Sequence, residues 1–123
     1  MNNAGRTWGA ELGTFPHSAW AKVFELNVAG MFHLTQRLIS KLAGSSTPDD
    51  PARVVNVGSV MGEIPMGDSA YSYATSKAAV HQMTRILAKE LAEQHITVFV
   101  KHEASQRIQL REDISRASGI LAS

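Results

Sequence analysis

One stretch constrains the fold more than any other. A short valine-rich run, Arg53-Val54-Val55-Asn56-Val57-Gly58, is followed by Ser59 and a loop holding Gly62, Pro65 and Gly67. A helical pattern then runs from about Tyr71 or Ser72 to Gln94, with Ala79, Val80, Met83, Ile86, Leu87 and Leu91 on one stripe. A second apolar run, Ile96-Thr97-Val98-Phe99-Val100, closes the segment. Valine-rich runs of this length suit strands covered on both faces of a parallel sheet. Strand, helix, strand therefore predicts a βαβ unit with a right-handed crossover. The fold class is α/β.

Upstream, Trp20, Val23, Phe24, Val28, Met31, Leu34, Leu38 and Leu42 recur at three- and four-residue steps. That periodicity predicts one long amphipathic helix over Ser18–Leu42, capped by His17 or Ser18 and ended by Gly44. Gly5, Gly9, Gly13 and Pro16 mark the first 16 residues as loop. Pro48 and Pro51 make the segment from Gly44 to Ala52 a surface loop.

Composition excludes several classes of function. A net charge of +1 gives no electrostatic reason to expect nucleic acid or an anionic membrane as partner. The absence of cysteine removes disulfides and thiolate metal sites. No apolar run reaches the ~18–20 residues of a membrane span, so the cytoplasm is the expected compartment. The five histidines, His17, His33, His81, His95 and His102, lack H-x-x-x-H spacing. They also lack an evident carboxylate partner, and no metal site is expected.

The chemistry centres on Tyr73 and Lys77. Four residues apart on a helix, they share a face roughly 5–6 Å apart at Cβ. A cation beside a phenol favours the phenolate, which suits a proton donor working near neutral pH. Ser59, at the carboxyl end of the first strand, lies where open α/β sheets bind ligands. Each residue has a plainer reading: a half-exposed helix pair, a turn or capping serine, and for Asn27 a buried amide bonded to backbone. A serine nucleophile is disfavoured, because Gly58-Ser59-Val60-Met61-Gly62 is not G-x-S-x-G. Tyr71, six residues from Lys77, is expected in the loop that lines the pocket.

Four motifs together resemble the short-chain dehydrogenase/reductase family. They are Asn2-Asn3-Ala4-Gly5, the helix carrying Asn27, Val57-Gly58-Ser59-Val60-Met61-Gly62, and Tyr73-Ala74-Thr75-Ser76-Lys77. Within the family, Arg6-Thr7-Trp8-Gly9-Ala10 and Ser72 to Gln82 look most like β-ketoacyl reductases of the rhamnolipid type. The resemblance implies a doubly wound Rossmann-like domain, of which the central βαβ portion and two long helices are present. It implies an oxidoreductase that uses NADP or NAD, with NADPH favoured, to reduce a carbonyl, most plausibly a 3-oxoacyl thioester. In that reading Ser59 polarises the carbonyl, Tyr73 gives the proton, and Lys77 tunes Tyr73 and holds the ribose. Asn27 anchors a water relay, while Asn3, Ala4 and Gly5 line the cofactor with Tyr73 and Lys77. The partners implied are a small-molecule or acyl-thioester substrate and a second subunit docked through the two long helices.

The match covers about Asn2 to Val98. The family's glycine-rich T-G-x-x-x-G-x-G turn is not in this sequence, and N-x-x-A-P-G does not follow Val98. The expectation is a partial reductase domain over 1–98 and a divergent tail over 99–123, disordered or weakly helical. A start codon inside a longer gene and a shifted frame near Val98 would account for both departures. Two helices prepared for a larger sheet would expose apolar surface, at roughly 25 cal/mol per Å². The opposing expectation is a non-catalytic remnant that pairs through its helices with a complete reductase.

Overall fold

The computed structural model describes residues 8–65 and 69–102. Helix α1 spans Ser18–Phe24, a π-helical turn spans Glu25–Gly30, and α2 spans Met31–Ser45. Strand β1 is Ala52–Gly58, α3 is Tyr71–Leu91 and β2 is Ile96–His102. Among the described residues, β1 and β2 form a two-stranded parallel sheet, in register from Ala52↔Ile96 to Gly58↔His102. Helix α3 is the crossover between them, as the alternation of patterns required.

The first helix departs from its expected form. It is continuous in direction but interrupted at Asn27 by the π turn, and it runs on to Ser45 rather than stopping at Leu42. Gly44 lies inside its last turn, and Ser46 takes the extended conformation that ends it. His17 makes no side-chain cap hydrogen bond. Ser46 Oγ instead donates to the Gln94 carbonyl at 2.8 Å, tying the end of α2 to the turn before β2. That turn is a 3-10 segment, Ala92–Gln94, closed by His95 in the left-handed region at φ 57°.

The core sits where α3 crosses the sheet. Leu87, Leu91, Ile96 and Val98 are buried, with Phe32, Ile39, Leu42, Val54 and Met83 packed against them. Val23, Met31 and Val80 are also buried. Other members of the two helical stripes are not. Leu34, Leu38 and Ile86 stay 48%, 39% and 44% exposed: among the described residues, two strands offer too little sheet to cover both helices.

Strand β2 extends past Val100 to His102, so Phe99 to His102, grouped by sequence with the tail, are strand. Residues 103–123 and the N-N-A-G segment lie outside the described residues. No helix among the described residues is long and apolar enough to cross a membrane.

Candidate active site

Lys77 reaches the carboxyl end of β1, which Ser59 follows; Tyr73 lies beside Lys77, and Asn27 is joined to α3 through Ser76. Tyr73 and Lys77 occupy the first turns of α3, and the Lys77 Nζ lies 5.5 Å from the centre of the Tyr73 ring. Lys77 is only 3% exposed, and its ammonium donates to the Val57 carbonyl at 3.0 Å. A buried lysine is costly unless its charge is met by acceptors. The bond to β1 therefore fixes both the side chain and the angle at which α3 meets the strand.

Ser59 follows β1 directly and is buried. Its Oγ accepts the Met61 N–H at 3.2 Å, capping the 3-10 turn Val60–Gly62. The capping role weighed for this serine is thus real. It leaves the hydroxyl proton available as a donor, since accepting one bond uses only a lone pair.

Asn27 is 2% exposed in the π turn of the first helix. Its Nδ2 donates to Ser76 Oγ at 3.0 Å, and Ser76 Oγ donates to the Tyr73 carbonyl at 2.7 Å. A chain of bonds therefore runs from the first helix to the tyrosine's own backbone. Ser76 was missed in the sequence reading, although its place beside Lys77 and one turn after Tyr73 could have suggested it. Single-turn π insertions are found frequently at functional sites.

Tyr71 is not a loop residue. It opens α3, and its ring meets Phe15 edge-on at 5.4 Å between centroids. That contact joins the N-terminal segment to the start of α3.

One turn below Lys77, His81 packs under the same strand. Its Nε2 accepts the Ser59 N–H at 3.4 Å, so backbone and imidazole meet just beneath the serine. Burial, and after it the imidazole of His102, holds His81 below the ordinary histidine range; Glu63 acts in the opposite sense. Gly58 makes this packing possible. A Cβ there would overlap His81 Nε2 and lie 2.5 Å from Val100 Cγ1.

The parallel βαβ unit thus carries a tyrosine and a lysine one turn apart, a serine ending the first strand and a buried asparagine across the helix pair. The short chain dehydrogenase family model matches residues 1–106, and the chain belongs to that family. Among its relatives is the rhamnolipids biosynthesis 3-oxoacyl-[acyl-carrier-protein] reductase of Pseudomonas aeruginosa. The two are 51% identical over 100 residues, covering 81% of this chain and 39% of that protein. A FabG 3-oxoacyl-[acyl-carrier-protein] reductase of Thermotoga maritima is 37% identical, over 80% of this chain and 38% of its own length. Among solved structures, the Pseudomonas aeruginosa RhlG/NADP active-site complex superposes with a TM-score of 0.79 at 52% identity. That match covers 80% of this chain and 39% of the other. The chain thus spans about two fifths of the length of these relatives.

Proposed function

We propose that this chain carries the carbonyl-reducing site of an NAD(P)-dependent oxidoreductase acting on 3-oxoacyl thioesters. The carrying observation is the Lys77 ammonium, buried against Val57 and beside the Tyr73 ring. The substrate class and the preference for NADPH rest on similarity to the 3-oxoacyl-[acyl-carrier-protein] reductase and to the RhlG/NADP complex.

The residues fit the ribose and nicotinamide end of such a cofactor. An ammonium and a phenol share one helix face at the carboxyl end of a parallel strand, where these sheets bind ligands. A bound nicotinamide cofactor supplies the hydride. Ser59 directs its hydroxyl proton to the substrate carbonyl oxygen, and Tyr73 gives that oxygen its proton. Lys77 holds ribose hydroxyls and keeps a positive charge beside Tyr73. Asn27, through Ser76, sets the backbone of Tyr73 and supports the water relay that restores the proton.

A second reading is favoured by the exposed apolar faces of the two helices, where Leu34, Leu38 and Ile86 stand open. In that reading the chain acts by pairing through these helices, with its own copy or with a complete reductase. Titration of the full chain with NADPH separates the two. Saturable binding that is weakened in Lys77→Met supports the reductase site; no saturable binding supports the pairing role.

A further inference from the structure

We infer that Glu63, His81 and His102 form a binding site for a divalent transition metal of the zinc type, next to the proposed active site. No motif announces it, since the three residues come from the turn after β1, the middle of α3 and the end of β2. The parallel register brings them together: Gly58 pairs with His102, and α3 returns His81 beneath Gly58.

The geometry is close to that of an assembled site. Glu63 Oε1 lies 3.5 Å from His81 Nδ1 and 3.5 Å from His102 Nε2, and all three ligand atoms fall within 4.8 Å of one another. Ligands roughly 2.0–2.1 Å from a tetrahedral zinc stand about 3.4 Å apart. Two of the three edges already have about that length, and the third is within 4.8 Å. The imidazole centroids are 5.0 Å apart and inclined at 39°. Two imidazoles and a carboxylate are the donor set that suits zinc, cobalt and nickel.

A second observation points to a ligand. His81 Nδ1 is buried and has no hydrogen-bond partner, in a residue 4% exposed. Leaving a buried polar atom without a partner is unfavourable. This one is aimed at the exposed Glu63 and at a cavity of about 220 Å³ lined also by Thr84, Arg85 and Val98. The cavity leaves room for the water that completes four coordination.

Binding would be coupled to the serine turn. With Nε2 accepting from the Ser59 N–H, the imidazole proton of His81 resides on Nδ1. A metal at Nδ1 displaces that proton, which passes through solvent to Nε2. Two N–H groups would then face each other, so the Ser59 contact opens. The inference is independent of the reductase reading, because it needs no cofactor and no turnover.

The test uses the full 123-residue chain, freed of metal with chelator and shown to be folded by circular dichroism. Cobalt(II) is the probe, followed by its visible absorption and displaced by zinc. The expected result is saturable binding of one equivalent, weakened about tenfold or more in both Glu63→Gln and His102→Gln. His17→Gln and His33→Gln, on the exposed first helix and its approach, leave it unchanged. The Ser59 amide resonance shifts on binding. Absence of saturable binding by the folded chain overturns the inference. So does binding that survives both ligand substitutions, or that is lost in the His17 or His33 control.

Discussion

Asn27 and Ser76, on different helices, are joined by a buried hydrogen bond of 3.0 Å, and Ser76 passes it on to the Tyr73 carbonyl at 2.7 Å. The π turn is what presents Asn27 to α3. The wider turn keeps Asn27 in line with the buried positions Ala19, Val23, Met31 and Thr35, which recur at four-residue steps. Replacing Asn27 with alanine removes a buried partner and opens a small cavity. The expected loss is about 1–3 kcal/mol in urea unfolding. An Asn27→Ala chain as stable as wild type would show that the contact does not hold the two helices together.

Gly58 is needed for space. A Cβ there meets His81 and Val100 at once, on a helix and a strand that cannot both retreat. Gly58→Ala should destabilise by about 1–3 kcal/mol, as overpacking does. In a double-mutant cycle with His81→Ala the cost should shrink by a measurable coupling energy. Simple additivity would contradict the close approach.

Strand, crossover helix and returning strand were legible because valine runs and a 3.6-residue period report directly on burial. Tyr73 and Lys77 were legible because helical spacing alone puts them on one face. The π turn was not, since its mark is a four-residue step through Ala19, Val23, Asn27, Met31 and Thr35, small and polar positions that an apolar count passes over. The hydrogen bond from Met61 to Ser59 depends on the turn after β1, which glycine and proline content marks only as loop. His81, Glu63 and His102 meet only through strand register, which spacing along the chain does not encode. The exposure of Leu34, Leu38 and Ile86 follows from how few strands the helices have to cover.

His81 predicts a pH dependence of stability. Burial, followed by the charges of His102, Arg85 and Lys77, lowers its pKa in the fold, with Glu63 opposing them. The unfolded chain, at the ordinary value of about 6.5, therefore takes up this proton first as pH falls. The contribution of His81 is complete above that value and is lost as pH falls through it toward the lower folded pKa. Urea unfolding in EDTA should show the loss between about pH 7.5 and 5.5, with a shallower slope in His81→Gln. Equal slopes in the two proteins would contradict it.

Leu34 and Leu38 lie one turn apart on α2, both open to solvent. If this face is the one through which copies pair, Leu34→Glu with Leu38→Glu should move the chain from dimer toward monomer in sedimentation velocity. The far-ultraviolet spectrum should stay unchanged. A dimer that survives both charges would place the interface elsewhere.

In the proposed reading Tyr73, with Lys77 beside it and Ser59 at the end of β1, protonates a substrate carbonyl oxygen. The most direct test follows NADPH oxidation by the full chain with acetoacetyl-CoA, a short 3-oxoacyl thioester, beside Tyr73→Phe. The account predicts turnover that falls by roughly 10²–10⁴ when the phenol is removed, the usual contribution of a positioned proton donor. No turnover by the folded wild-type chain, or turnover untouched by Tyr73→Phe, would contradict it.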